Sequence, residues 1–290
     1  MNVDVPLVTD ATTTRLTVIT PDRGWFDWRL GQLWRYRDLV GLFVWRDFVS
    51  IYKQTILGPA WHIVRPLITT LVFVLVFGQM AGLSTDGAPQ FLFYMTGNIA
   101  WTYFSSCLDS TSKTFVTNAP LLGKVYFHRL AIPVSVVLSN LIVFGIQLVI
   151  LFVAMAAYVL TGTAVHLTSW ALLTPVLVVM LAGYALGGGI LVSAVTTRYR
   201  DLSHLVTFGL QLFMYLTPVI YPMSAVPPRL RWAMTLNPLT PVFEGFRFGL
   251  LGVGTVNAGQ LTMSAVVMAG LLLGGVMLFT RVDRTFMDTV

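Results

Sequence analysis

The sequence predicts an all-α polytopic membrane protein with six transmembrane helices. Of its 290 residues, 56% are hydrophobic and only 10% are charged, and the mean hydropathy is +0.77. Soluble domains carry about 25% charged residues. Six apolar stretches have lengths near the ~20 residues that a helix needs to cross a bilayer. The basic residues flank these stretches, as the positive-inside rule predicts, so the net charge of +6 does not indicate a nucleic-acid partner.

The chain before the first span divides into two parts. Residues 1–24 are polar and threonine-rich, with no apolar core of a signal peptide, and we expect a cytoplasmic tail. Residues 25–65 contain tryptophans, basic residues and a helical pattern, which is typical of an amphipathic helix at a membrane interface. An ordinary surface helix and a partner-docking face fit the same pattern. Gly58 and Pro59 should end this helix, because proline lacks an N–H and disfavours helix at the preceding residue.

The six-span domain is predicted at residues 66–285. Its spans are expected at 66–81, 91–116, 133–160, 170–196, 204–221 and 257–280. The second span is unusually polar, so it should face other protein or an aqueous path. In it, Asp109 and Lys113 are spaced i,i+4, which favours an ion pair. The glycines at 187–189 should allow close helix packing.

The distribution of lysine and arginine predicts the orientation. Of the 18 lysines and arginines, 15 lie before the first span, in residues 113–129, in the loop after the fourth span, or at the C-terminus. The other three lie in residues 222–256, and the turns at 82–90 and 161–169 contain none. Six spans with both termini in the cytoplasm therefore follow.

Two connecting segments have patterns of their own. Residues 222–256 contain two helix-like pieces, at 229–236 and 239–251, each preceded by proline. They predict either re-entrant helices or an external hairpin, in which Glu244 and Arg247 can pair. Residues 118–133 predict a surface helix with exposed apolar and aromatic side chains, which marks either a protein contact or a connector lying on the membrane.

Several kinds of chemistry have no candidates in this sequence. No phosphate-binding loop precedes Lys124, so ATP hydrolysis would need another chain. The four histidines are scattered and do not form a metal site. Carboxylate pairs deep in a span, which a proton relay or a glycosidase would use, are also lacking. We expect no catalytic residue and no metal or other cofactor in this chain.

Five segments together resemble the membrane subunit of ABC-2 type polysaccharide exporters, the permeases for O-antigen, capsule and teichoic acid. The likeness covers about residues 25–285, and its segments occur in the family's order. They are YKQTILGPAWHIVRPL (52–67), NAPLLGKVYFHRLAIPVS (118–135), RYRDLSH (198–204), LTPVIYP (216–222) and LNPLTPVFEGFR (236–247).

The resemblance implies a homodimer of permeases in a bacterial inner membrane, with two separate ATPase subunits that bind ATP and Mg²⁺. The expected substrate is a polysaccharide carried on a polyprenyl diphosphate lipid. An ion-coupled flippase for a lipid-linked glycan and a membrane glycosyltransferase or polymerase remain as alternatives. The first would need ionisable groups inside its spans, and the second a catalytic acid.

The resemblance and the residue chemistry together give four groups of candidate residues. The gate at the lipid-head entrance is assigned to Arg46, Lys53, Gly58, Pro59, Trp61 and Arg65. The contact with the ATPase is assigned to Leu122, Lys124, Tyr126, Phe127 and Arg129. Aromatic faces and neutral polar groups suit a sliding glycan, so the translocation path is assigned to Phe73, Phe77, Tyr94, Asn98, Trp101, Tyr103, Phe104, Phe208, Gln211, Phe213, Tyr215 and Tyr221. The periplasmic gate is assigned to Glu244 and Arg247.

Overall fold

The described part of the chain is helical throughout. A computed structural model describes residues 34, 36–52, 58–122, 129–163, 165–196 and 201–286, and these ranges contain no strand. The ten α-helices within them are α1 (Arg37–Tyr52), α2 (Trp61–Phe73), α3 (Gln90–Ser112), α4 (Thr114–Leu122), α5 (Ala131–Leu160), α6 (Thr174–Thr196), α7 (Leu202–Tyr215), α8 (Pro228–Leu236), α9 (Thr240–Leu251) and α10 (Ala258–Phe286). The prediction of an all-α fold is confirmed for these residues.

Four helical stretches among the described residues are long and apolar enough to cross a membrane. They are Gly58–Met80, Ala131–Leu160, Ser169–Thr196 and Ala258–Phe279. The other two predicted spans fall on α3, which has many polar residues, and on α7, which has only 14 residues. The predicted count of six spans is thus supported for four of them.

Helix α3 lies at the centre of the bundle. It packs against α2, α5, α6, α7 and α9. Most of its residues are buried, including Thr96, Asn98 and Ser112, and the hydroxyl of Thr96 donates to the Leu92 carbonyl oxygen at 2.8 Å. The polar character of this helix therefore reflects burial against other helices, one of the two environments that its sequence predicts.

The glycines of α6 allow it to approach two neighbours closely. A Cβ on Gly187 would lie 2.8 Å from the Cα of Leu272 on α10. A Cβ on Gly189 would lie 2.6 Å from the Cβ of Thr111 on α3. Both distances are too short for real carbon atoms, so the predicted close packing at 187–189 is confirmed.

Helix α7 ends earlier than the predicted fifth span. It stops at Tyr215, and residues 216–222 form turns that lead to α8 and α9. Pro218 lies in these turns, where its missing N–H and fixed φ are tolerated. The two short helices expected at 229–236 and 239–251 are present as α8 and α9, and their re-entrant position in a membrane stays a prediction.

Candidate functional site

At one end of the bundle, α9 carries a buried ion pair. The carboxylate of Glu244 and the guanidinium of Arg247 are 3.4 Å apart, and both side chains are almost completely buried. The guanidinium lies 4.0 Å from the ring centroid of Phe93 on α3. The predicted pairing is confirmed, whereas the assigned role as a periplasmic gate stays a prediction.

Arg247 also binds the backbone of the turn after α7. Its Nη1 donates to the Tyr221 carbonyl oxygen at 3.1 Å, and its Nη2 donates to the Val219 carbonyl oxygen. These two carbonyl groups lie beyond the end of α7, so no N–H group of that helix binds them, and they need other donors when they are buried. Arg247 therefore satisfies the broken end of the fifth predicted span and holds it against α3.

The same region contains partners that sequence reasoning missed. A Cβ on Gly97 would lie 2.3 Å from the Val219 carbonyl oxygen, so only glycine fits between α3 and the turn. Glu244 accepts a hydrogen bond from the backbone N–H of Thr255 at 3.2 Å. Close by, Asp86 accepts one from the hydroxyl of Ser224 at 2.6 Å. These contacts join residues that are not related by helical spacing, so no local pattern in the sequence predicts them.

The expected path residues of the second span lie inside the bundle. Tyr94, Asn98, Trp101, Tyr103 and Phe104 are all buried, and Trp101 lies 6.1 Å from Phe243 between ring centroids. They pack against neighbouring helices of the same chain.

The expected path residues of the first and fifth spans divide differently. Phe73 and Phe77 are half-buried and in ring contact at 5.7 Å. Phe208, Gln211 and Tyr215 are exposed on α7. The remaining two, Phe213 and Tyr221, are half-buried, and Phe213 lies 6.0 Å from Trp101.

The expected gate residues that the structure describes lie on α1, in the turn before α2 and at the beginning of α2. A short 3₁₀ turn at Gly58–Ala60 precedes α2, and Gly58 has φ 47°, so the predicted break is confirmed at these residues. Trp61 and Arg65 follow on α2, four residues apart and both exposed. Lys53 lies outside the described residues.

Arg46 lies on α1 and has two partners. Its guanidinium forms an ion pair with Asp47 at 2.7 Å and lies 4.8 Å from the ring centroid of Phe43. Phe43 is buried against α5, which holds α1 on the bundle.

The residues on either side of the expected ATPase contact are anchored in a hydrophobic cluster that is separate from the larger core around α3. We call it the second hydrophobic cluster. On one side Phe115 stacks on Phe279 with centroids 4.8 Å apart, and on the other Leu130 is buried. The cluster also includes Val40 and Phe43 of α1. Arg129 is half-buried next to it. Lys124, Tyr126, Phe127 and the side chain of Leu122 lie outside the described residues.

The predicted pair Asp109–Lys113 is confirmed, and it has a third member. Lys113 Nζ lies 2.7 Å from Asp109 Oδ2 and donates to Thr207 Oγ1 at 3.1 Å. The Thr207 hydroxyl donates to Asp109 Oδ1 at 2.7 Å. This triad links α3 to α7. The i,i+4 spacing predicts the ion pair, but nothing near Thr207 in the sequence points to its part in the triad.

Comparisons with known proteins find a matching family and several similar permeases. Residues 38–251 match the model of the family described as ABC-2 type transporter. The chain is 25% identical over 251 residues to an O-antigen export system permease protein RfbA of Klebsiella pneumoniae, covering 87% of this chain and 94% of that protein. It is 27% identical over 262 residues to the RfbA of Myxococcus xanthus, covering 89% and 98%.

A more distant relative has a more general name. The inner membrane transport permease YadH of Escherichia coli K12 is 24% identical over 214 residues, covering 72% of this chain and 80% of that protein. The family model alone covers well over half of the chain, from α1 to the end of α9. This protein therefore belongs to the ABC-2 type transporter family.

Proposed function

We propose that this chain is the membrane permease of an ABC transporter that exports an O-antigen-like polysaccharide across the bacterial inner membrane. The observation that carries the proposal is the similarity to two O-antigen export permeases over 87% and 89% of the chain. The substrate is a finished polymer on a polyprenyl diphosphate lipid. Two copies of the permease work with two separate ATPase subunits, which bind ATP and Mg²⁺.

The second hydrophobic cluster supports a mechanical role for the segment at 118–130. Phe115 and Leu130 fix the two ends of this segment to the bundle, and Val40 and Phe43 fix α1 to the same cluster. A force applied to the segment by an ATPase would thus reach α1 and the helices behind it together. Tyr126 and Phe127 are the proposed apolar anchors, since buried aromatics carry much of the energy of an interface.

The exposed side of α7 supports a path between two copies of the chain. Phe208, Gln211 and Tyr215 offer two aromatic faces and one amide to a passing glycan. The buried aromatics of α3, including Trp101, stiffen this wall through Phe213. We assign Glu244 and Arg247 to the outer end of the path, where they hold the turn after α7 in place.

A complementation experiment tests the function. Deleting the gene should remove O-antigen from the cell surface, and lipid-linked polymer should accumulate in the cytoplasm. The wild-type gene should restore export, whereas Tyr126→Ala with Phe127→Ala should not, because ATPase docking would be weakened. Val153→Ala, an exposed change on α5, serves as the matched control and should export normally. Normal surface O-antigen in the deletion strain would refute the proposal.

A further inference from the structure

A cavity of about 370 Å³ lies between α1, α3, α4 and α5, at the end of the bundle where α1 packs. We call it the α1 cavity. Its volume is within the ~300–1,000 Å³ range of small-ligand sites. The side chains that matter for its chemistry are Arg46, Asp47, Asp109, Lys113, Ser139 and Asn140.

The charges that line the α1 cavity form two ion pairs. Arg46 pairs with Asp47 on α1, and Lys113 pairs with Asp109 on α3, each at 2.7 Å. Over the described residues the lining carries two cations and two carboxylates, so its net charge is zero. A simple anion would meet as much repulsion as attraction here, whereas a zwitterion finds partners for both of its charges.

Neutral polar groups complete the wall on α5. The Nδ2 of Asn140 donates to the Val136 carbonyl oxygen at 2.8 Å, and the Ser139 hydroxyl donates to the Ser135 carbonyl oxygen at 2.9 Å. An amide has two N–H groups and an acceptor oxygen, and a hydroxyl oxygen can still accept. Asn140 can therefore donate its second N–H to a phosphate-ester oxygen or accept from an ammonium, and Ser139 can accept from an ammonium.

An apolar surface continues from the cavity along the same helix. Val143 lines the cavity, and Leu138, Leu141 and Ile142 on the next face of α5 are exposed. α5 is one of the four stretches apolar enough to cross a membrane, so this face meets hydrocarbon. A ligand with a polar head and acyl chains would fit both parts.

From these observations we propose that the α1 cavity binds the phosphoethanolamine head group of a zwitterionic bilayer lipid. The phosphate lies between Arg46 and Lys113, and the ammonium donates hydrogen bonds to Asp47 and Asp109. Phosphatidylcholine binds less well, because its trimethylammonium has no N–H to donate. The bound lipid fills the space under α1 and fixes this helix on the bundle.

Native mass spectrometry of the full chain, delipidated in detergent and titrated with single lipids, tests the site. We expect phosphatidylethanolamine to bind about tenfold more tightly than phosphatidylglycerol or phosphatidylcholine. Ser139→Leu, which fills the cavity, should remove this preference. Val149→Leu, an exposed change about three turns further along α5, should keep it. Phosphatidylglycerol tests whether the site instead prefers an anionic, diphosphate-like group. If it binds as tightly as phosphatidylethanolamine or more tightly, the proposal is overturned.

A second variant keeps the proposal testable if Ser139→Leu does not fold. Asp47→Asn keeps the shape of the side chain and leaves the lining with one net positive charge. The preference should then shift by about tenfold towards phosphatidylglycerol, since the ammonium loses a partner and the phosphate gains one. An unchanged lipid preference in Asp47→Asn would refute the site.

Discussion

At the scale of single residues, Arg247 combines two tasks that are usually separate. It neutralises Glu244 within α9, and it donates hydrogen bonds to the carbonyl oxygens of Val219 and Tyr221 in the turn after α7. Breaking one side of a buried ion pair costs about 3–5 kcal/mol, because the remaining charge stays buried without compensation.

The pair and the turn can be separated by a double-mutant cycle. Arg247→Met should lower the free energy of unfolding by about 3–5 kcal/mol. The double variant Glu244→Gln with Arg247→Met should recover part of this loss, since no charge is left buried. Thermal unfolding in detergent measures both, with Arg229→Gln as the exposed control. If the double variant loses as much stability as Glu244→Gln alone and Arg247→Met alone added together, the pair is not coupled.

Gly97 gives a second residue-scale prediction. A methyl group here would overlap the Val219 carbonyl oxygen, a backbone atom that cannot rotate away. We expect Gly97→Ala to destabilise the protein by ~1–3 kcal/mol, the range for overpacked cores. On α5, Gly145 has open space around its Cβ position, and Gly145→Ala should be neutral or gain up to about 1 kcal/mol of helix propensity. Apparent melting temperatures that rank the two variants in the opposite order would contradict this packing.

Residue pairs within one helix could be predicted, and contacts between helices could not. The spacings of Asp109–Lys113 and Glu244–Arg247 are sufficient to predict these two ion pairs, because helical geometry alone brings their side chains together. Thr207, which completes the triad with the first pair, is 94 residues away from Lys113. Its position follows from how α7 packs on α3, and local periodicity in the sequence does not predict that packing.

At the scale of the elements, α2 shows how packing tolerates a proline inside a helix. Pro66 has no N–H to donate to the carbonyl oxygen of His62, four residues earlier. Gln147 of α5 donates to that oxygen at 3.5 Å, and Asn98 of α3 donates to the Pro66 carbonyl oxygen at 3.4 Å. The amide of Asn98 thus helps to hold α2, which carries Trp61 and Arg65, and its assignment to the path stays a prediction.

The tie between α3 and α7 allows a prediction about an element. Thr207 links the beginning of α7 to Asp109 and Lys113. Thr207→Val keeps the volume but removes the hydroxyl, which costs about 1 kcal/mol for the lost hydrogen bonds. The first turns of α7 should then exchange backbone hydrogens faster, while α5 should not change. Thr207→Ser keeps the hydroxyl and should behave as wild type, and equal exchange in all three proteins would disprove the tie.

Helical periodicity alone does not assign the aromatic residues either to packing or to a substrate path. It predicts which side chains share a face, but it does not distinguish a face that packs on protein from one that meets a substrate. Tyr94 and Trp101 lie in residues 92–101 of α3, which are all buried, whereas Phe208 and Tyr215 lie on the exposed side of α7. The difference depends on how many neighbours surround each helix, which is a property of the assembled bundle.

At the scale of the whole molecule, hydropathy and charge lead to different counts of spans. Hydropathy selects four helices, because α3 is polar and α7 is short. The distribution of basic residues predicts six crossings. An α-helix of 14 residues is about 21 Å long, less than the ~30 Å hydrocarbon core. We therefore expect α7 to cross together with the turn at 216–222, in which the carbonyl oxygens of Val219 and Tyr221 accept hydrogen bonds from Arg247.

Labelling of single cysteines decides between these counts. The only native cysteine, Cys107, is completely buried, so it should not react with a membrane-impermeant maleimide. Exposed positions flank both doubtful helices: Ser84 and Thr117 bracket α3, and Asp201 and Ser224 bracket α7. With six spans, cysteines at 84 and 224 react from the periplasm of intact cells, and those at 117 and 201 react only after the inner membrane is opened. Reaction of 84 and 117 from the same side would mean that α3 does not cross, and reaction of 201 and 224 from the same side would exclude α7. The first result would also place the Glu244–Arg247 pair, which packs on Phe93, and the α1 cavity, which is lined by Lys113, at the same face of the membrane, which the proposed export path does not allow.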